Sequence, residues 1–402
     1  MITLADIEAA HHRIRPTIHV TPCEFSETFT ALAGNPVYFK LENLHMTGSF
    51  KERGALNKLL LMSPEERSRG VICASAGNHA QGVAYHATRL GIRAIIYMPE
   101  HAPITKVNAT ERFGGEVVLY GKSFDEAMAG ARARAEQDNL TFIHAFDDDA
   151  VIAGQGSIGL EILSQNPFVE AVLTPIGGGG LIGGIACAVK ETNPKIKVVG
   201  VQTAQVPSMV EALKAHAPVE LPARSTIADG IAVRRAGMRT LPLVEKYVDE
   251  VVTVEEEEIA SGILYLLEKE KTVAEGAGAA AVAALLHNKT ALKGKKTVAL
   301  VCGGNIDPLF LSHIIERGMV KDGRLVRIRV MVPDRPGALH ALTGMFAEMR
   351  VNVVSISHER AYHGVTLGNT ILETTIETRG SEHLDALFDG LRRLGYRHDR
   401  VH

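Results

Sequence analysis

Four segments of this sequence carry residue types that can do chemistry together. In Thr47-Gly48-Ser49-Phe50-Lys51-Glu52-Arg53-Gly54 a lysine follows a small-residue turn at the start of a predicted helix. Held in a cleft, its amine loses part of its preference for charge and becomes a usable nucleophile or base. The plain alternative is a solvated lysine at a helix start, and this segment alone leaves both open. In Ser75-Ala76-Gly77-Asn78-His79-Ala80-Gln81-Gly82 a strand ends in small residues and a helix opens at about Asn78. Backbone N–H groups and short polar side chains there can hold a carboxylate. Asn78 serves equally well as an N-cap, and His79 as a satisfied structural histidine.

The third segment, Gly177-Gly178-Gly179-Gly180-Leu181-Ile182-Gly183-Gly184, follows an apolar strand and opens a helix. Its unhindered amides and the positive helix end make a phosphate cradle. The spacing G-x-G-x-x-G is met at Gly178, Gly180 and Gly183, but a dinucleotide fold also wants a carboxylate about 20 residues on, at the end of the next strand. That strand, Lys197–Val201, ends in Gln202 and Thr203, so the run reads as the seat of a lone phosphate. Tight packing accounts for one or two glycines, not for four in a row. In the fourth segment, Val301-Cys302-Gly303-Gly304-Asn305, Cys302 reaches the carboxyl edge of a sheet, where open α/β folds place ligands. No base or cation adjoins it, so it reads as a weak hydrogen-bond partner or a small buried residue.

The elements that must position these segments alternate strand and helix between about Val37 and Leu311, the pattern of a parallel sheet covered by helices. The expected strands are Tyr38–Leu41, Val71–Ala74, Arg93–Met98, Glu116–Tyr120, Thr141–Ala145, Ala171–Ile176, Lys197–Val201, Glu250–Val254 and Thr297–Val301. Asn78–Leu90, Ser123–Gln137, Leu181–Thr192 and Glu255–Glu268 read as helices. So many crossover units exceed one ordinary sheet, so the class is α/β with two lobes. After Gly323 the texture changes: Leu325–Val332 alternates apolar and basic residues, and a helix, strands at Val351–Ser357 and Thr366–Glu377, and a helix at Ser381–Leu394 follow. The order β-α-β-β-α-β is that of a ferredoxin-like module.

With 402 residues the chain has room for two or three domains, and 43 Lys+Arg against 46 Asp+Glu leave no basic coat for nucleic acid. Four scattered cysteines form neither a zinc site nor a disulfide framework. The longest uncharged stretch, Ala171 to Val189, holds Pro175 and six glycines, which suits a strand, a turn and a helix rather than a membrane span. No basic segment followed by an apolar one opens the chain, so the expected location is the cytoplasm.

Taken together, residues 1 to about 320 resemble the fold type II (tryptophan synthase β-like) pyridoxal-phosphate enzymes, and in particular the threonine ammonia-lyases. The resemblance rests on the segments above, with Thr226-Ile227-Ala228-Asp229-Gly230-Ile231-Ala232-Val233 as a further match. Residues 325–402, with Asp334-Arg335-Pro336-Gly337-Ala338-Leu339, resemble an ACT regulatory domain. The resemblance implies a catalytic domain over 1–320, with a small lobe at about 45–145 inserted in the large one, and the regulatory domain over 325–402. It makes Lys51 the catalytic lysine that carries pyridoxal 5'-phosphate, with Phe50 beside it. Asn78 would bond the ring hydroxyl, Gly177, Gly178, Gly179, Gly180 and Leu181 would hold the phosphate, and Cys302 would face the ring nitrogen. Ser75, Ala76, Gly77, Asn78 and His79 would form the loop around the substrate carboxylate.

The implied reaction is removal of the Cα proton of L-threonine by Lys51 and loss of the β-hydroxyl, giving 2-oxobutanoate and ammonia, with L-serine giving pyruvate. A serine-preferring dehydratase or racemase on the same fold is the nearest alternative. Racemase-like relatives carry a serine where this chain has Ala76, which cannot move a proton. Their metal-binding carboxylates are not evident around Gln202–Ser208, so no metal is expected. A non-catalytic amino-acid sensor is the remaining alternative. The ACT resemblance implies isoleucine or valine as an effector and a homodimer or homotetramer, in threonine breakdown or isoleucine synthesis.

Overall fold

Strands whose every residue is apolar have no face to give to solvent, so they settle inside parallel sheets covered by helices. The computed structural model describes residues 1–359 and 367–401 and shows this arrangement twice in the first of its two units, Met1–Asp307. The strands there are β1 (Cys23–Ser26), β2 (Val37–Leu41), β3 (Val71–Ala74), β4 (Ala94–Met98), β5 (Glu116–Leu119), β6 (Thr141–Phe142), β7 (Ala171–Pro175), β8 (Lys197–Thr203), β9 (Glu250–Val254) and β10 (Thr297–Val301). One sheet runs β1-β2-β10-β7-β8-β9 and the other β5-β4-β3-β6. All pairs are parallel except β1 with β2. Every residue of β3, β4, β7 and β10 is buried.

Each expected strand of this unit is present, and the departures have local causes. The edge strand β1 escapes the sequence pattern because Cys23-Glu24-Phe25-Ser26 buries only Ser26. The run expected over Thr141–Ala145 stops at Phe142, since the His144 ring turns the chain by accepting the N–H groups of Phe146 and Asp147 at 3.2 and 2.8 Å. Helices Phe124–Gln137 and Glu256–Lys269 start one residue after the expected position, because Ser123 and Glu255 are their N-caps.

The two lobes meet at the helices Lys51–Leu61 and Asp149–Gln165. A Cβ on Gly54 would lie 2.8 Å from the carbonyl oxygen of Val151, and one on Gly154 2.7 Å from that of Arg53, so only glycine permits this approach. The sequence run Ala171 to Val189 resolves into β7, the glycine turn and helix Gly180–Thr192. No helix among the described residues is long and apolar enough to cross a membrane.

The second unit, Pro308–His402, holds β11 (Leu325–Pro333), β12 (Asn352–Glu359), β13 (Asn369–Glu377) and β14 (Arg397–Val401) in the antiparallel order β12-β13-β11-β14. Its β-α-β-β-α-β order is the expected one. Along β11, Val326, Ile328, Val330 and Val332 are buried, and they pack with Leu342, Phe346, Leu384, Leu387 and Leu391 of the two helices. Thr366, placed in a strand by the sequence pattern, lies outside the described residues. The division between units falls at Asp307/Pro308, and helix Pro308–Lys321 groups with the C-terminal unit. That helix continues through a short turn into β11, with Arg324 donating its backbone N–H to Met319 at 2.8 Å.

Candidate active site

The loop before Lys51 is stitched to the loop after β10. Ser49 and Gly303 form an antiparallel bridge, Phe50 donates its N–H to the Cys302 carbonyl at 3.1 Å, and Gly304 donates to Gly48 at 2.9 Å. Gly48 has φ +71°, and a Cβ there would lie 2.4 Å from Asn305 Oδ1, so this position admits glycine alone. Two residues beyond Lys51, the fully buried Arg53 fixes the rotation of the helix. Its guanidinium donates to both oxygens of Glu42 at 2.7 and 2.8 Å and to both of Glu161 at 2.6 and 2.8 Å. Lys40 adds a 2.6 Å ion pair to Glu161. Paired in this way, the buried charges set one geometry where a lone one would be prohibitive.

Anchored at both ends of its first turn, Lys51 sends its amine inward. Nζ donates to the carbonyl of Ala145 at 3.0 Å and lies 5.1 Å from the Phe50 ring centroid. The residue keeps some contact with solvent, but burial dominates around the amine and lowers its pKa to about 8, against the opposing pull of Cys302 and Glu275.

Phe146 joins the lysine to the glycine run. While Ala145 receives the amine, the ring of Phe146 lies 2.3 Å from where a Cβ of Gly178 would be, and its carbonyl oxygen 2.6 Å from that of Gly180. At Gly177 the nearest atom would be Val233 Cγ2 at 3.1 Å, and at Gly179 Met209 Cε at 2.6 Å. Packing therefore excludes a side chain at Gly178, Gly179 and Gly180 and crowds Gly177, so it explains more of the run than the one or two glycines expected. The run still opens helix Gly180–Thr192 through Gly179 at φ +97°, with no side-chain cap. Its first amides thus have no acceptor of their own within the helix.

Helix Asn78–Arg89 also begins without a side-chain cap, after Gly77, where a Cβ would meet only open space. Gly77 donates to Ser75 Oγ at 3.2 Å. His79 does not face this opening with its ring. The ring is buried, Nε2 lies 3.0 Å from the Ile143 carbonyl, and burial together with Lys51 lowers its pKa to about 3. It is a neutral structural histidine, and only its backbone N–H is available at the helix start. Asn78 is held on two sides: Nδ2 donates to Glu275 Oε1 at 2.6 Å, and Oδ1 accepts from Asn305 Nδ2 at 2.8 Å. Cys302 is buried beside this group, and burial pushes its thiol well above the usual range, so it stays protonated.

A desolvated amine, a bare glycine-rich helix start and an oriented amide are thus brought together by Ala145-Phe146 and by the loop after β10. Residues 14–303 match the family model described as pyridoxal-phosphate dependent enzyme. The chain belongs to that family. Residues 326–389 match the ACT domain model. The chain is 48% identical over 396 residues to an L-threonine ammonia-lyase of Thermotoga maritima, covering 98% of each chain. Among solved structures it resembles the processed form of threonine deaminase isoform 2 from Solanum lycopersicum, with TM-score 0.75 and 38% identity over 79% of this chain and 87% of that one. Maize serine racemase gives TM-score 0.75 and 32% identity, over 79% of this chain and 98% of the other.

The enzyme's own atoms suit pyridoxal phosphate. Uncapped amides can donate to a phosphate, the Lys51 amine can bond an aldehyde, and Asn78 retains one N–H beyond the one given to Glu275. The sequence pattern did not single out Glu275, Ala145, Phe146 or the anchor Arg53 for the site. A glutamate ahead of the small-residue run Gly276-Ala277-Gly278 was the one signal that could have pointed to Glu275.

Proposed function

We propose that this chain deaminates L-threonine to 2-oxobutanoate and ammonia, and acts on L-serine to give pyruvate as a side activity. The observation that carries the reading is the buried Lys51 amine beside the uncapped glycine helix, in a chain aligned with an L-threonine ammonia-lyase along nearly its whole length.

When bound, pyridoxal phosphate supplies an electron sink for negative charge developing at Cα. Lys51 would bond its aldehyde carbon, and the amides of Gly177, Gly178, Gly179, Gly180 and Leu181 its phosphate. Asn78 would bond its ring oxygen, with Phe50 and Cys302 beside the ring. A protonated Cys302 puts no negative charge near the ring nitrogen, which suits elimination better than transamination.

Ser75, Ala76, Gly77, Asn78 and His79 offer the substrate carboxylate the open start of their helix, mainly through backbone N–H groups. Lys51 takes the Cα proton, for which its amine must be neutral, and a pKa of about 8 brings that state within reach near neutrality. The β-hydroxyl leaves as water, and a second water later replaces the nitrogen, which departs as ammonia. Ala76 offers no proton on the opposite face, which supports elimination over racemisation.

In the C-terminal unit a cavity of about 790 Å³ lies at the turn after β11, lined by Pro333, Arg335, Gly337, Asn369 and Tyr396 among others. It supports binding of an amino-acid effector, isoleucine or valine, with a coupling of about 1–3 kcal/mol to threonine affinity. The setting we infer is a cytoplasmic homodimer or homotetramer. Absorbance spectra of the purified protein with and without threonine, coupled to keto-acid detection, test the reading on wild type and Lys51→Ala. Cofactor absorbance and keto-acid formation that both depend on Lys51 support it. Undiminished turnover by Lys51→Ala overturns it, and threonine kinetics unmoved by isoleucine or valine overturn the regulatory part.

A further inference from the structure

Glu275 occupies the N-cap position of helix Gly276–Leu286, where an acidic side chain ordinarily folds back onto its own helix. It makes no such bond. The side chain instead turns to Asn78, with Oε1 accepting Nδ2 at 2.6 Å, although the residue is 95% removed from solvent, at 5% exposure. The surroundings are shaped for this contact. A Cβ on Gly303 would lie 2.4 Å from the same Glu275 oxygen and 3.1 Å from Asn78 Nδ2, and Glu275 donates its own N–H to the Gly303 carbonyl at 3.1 Å.

The hydrogen bonds around Asn78 have one direction only. Asn305 Nδ2 donates to the Thr47 carbonyl at 2.7 Å, a group that only accepts, so that end of Asn305 is its NH2. The same NH2 meets Asn78 at 2.8 Å, which requires Oδ1 there and puts the Asn78 NH2 toward Glu275. An ionised carboxylate, which can only accept, completes the order. One N–H of Asn78 then remains uncommitted.

We propose that Glu275 is a positioning residue that orients the Asn78 amide so that its remaining N–H is offered to the cofactor's ring oxygen. This rests on the placement of Asn78 in the proposed cofactor site. The charged and titratable groups facing Glu275 are Asp229, Lys106, Lys51 and Cys302. Burial, then Asp229, raise its pKa to about 7, so the order imposed on Asn78 strengthens as pH rises through neutrality.

The test is titration of apoprotein with pyridoxal phosphate, with affinity and the bound cofactor's absorbance followed from pH 6 to 9. The proteins are wild type, Glu275→Leu, Glu275→Gln, Asn78→Ala and the double variant Asn78→Ala/Glu275→Leu. Glu275→Leu is expected to bind about tenfold more weakly, the size of effect for losing a hydrogen bond to a charged group. Glu275→Gln keeps an acceptor and restores affinity to within a few-fold, while losing the pH dependence of the absorbance near 7. The double variant binds no more weakly than Asn78→Ala, because the two residues act through one bond. Additive losses in the double variant, or Glu275→Gln as weak as Glu275→Leu, would overturn the proposal. Unchanged affinity and absorbance in Asn78→Ala would instead remove the placement of Asn78, and the proposal with it. The melting temperature of each apoprotein separates lost folding from lost binding.

Discussion

Two helices pack side by side in the large lobe, and they begin in opposite ways. Asp149–Gln165 is finished by its own chain: Asp148 Oδ1 accepts the N–H groups of Ala150 and Val151 at 2.9 and 3.1 Å. Gly180–Thr192 opens on glycines, with no side chain over its first amides. Both starts carry the same dipole and the same count of amides without a partner inside the helix. The contrast teaches that a helix start closed by its own carboxylate has spent its first donors on the fold, while one without a side-chain cap keeps them for another acceptor.

The largest expected effect bears on what the bare end serves. Lys51→Ala should lower keto-acid formation by about 10³-fold or more, since it removes both the covalent anchor and the base. Next, Gly179→Asp would close the glycine helix as Asp148 closes its neighbour. Pyridoxal phosphate affinity of the apoprotein is expected to fall about a hundredfold, through repulsion of the phosphate and occupation of its donors. Gly179→Ala is the control for strain at φ +97° and for contact with Met209. Equal losses in the two variants would break the comparison.

A further effect, on the order of 3 kcal/mol, concerns the stability of the apoprotein. Burial brings the amine of Lys51 down to about 8 in the folded chain, from the ordinary lysine value of 10.5 that it regains when unfolded. Between those values the unfolded state binds more protons, so apoprotein stability should rise with pH from about 8 toward 10.5. Below about 8 the buried charge is a constant burden, and Lys51→Met should melt higher there and lose the rise. A flat difference between wild type and Lys51→Met across that window would contradict this.

Asp148→Ala sharpens the comparison from the other side, with an expected loss of about 1 kcal/mol in denaturant unfolding and unchanged cofactor affinity. Its carboxylate also takes Lys58 at 2.7 Å, a pair that the same variant removes. The smallest effect belongs to Arg93→Ala. The Arg93–Glu116 pair is about half exposed on both sides, so unfolding free energy should change by no more than about 0.5 kcal/mol.

The strands and the class of the catalytic unit were legible because burial on both faces demands unbroken apolar runs, as in Ala94–Met98 and residues 298–301. The alternation in Leu325–Pro333 was legible for the complementary reason that one face packs on helices and the other does not. Less of the site could be read. Asn78 and the glycine run announced themselves by composition, but the role of the His79 ring did not, because its partner Ile143 lies 64 residues away. Glu275 stands 197 residues from Asn78, and nothing local marks it out among the chain's carboxylates.

By itself, the sequence determined which residues could do chemistry and which turns and helix starts would carry them, since those depend on neighbours a few positions apart. Only the tertiary structure decided the states of those residues: a desolvated Lys51, a neutral His79, an Asn78 amide with one orientation. Desolvation and charge pairing fall off over a few ångströms of space, and the groups that impose them here come from chain segments tens to hundreds of residues away.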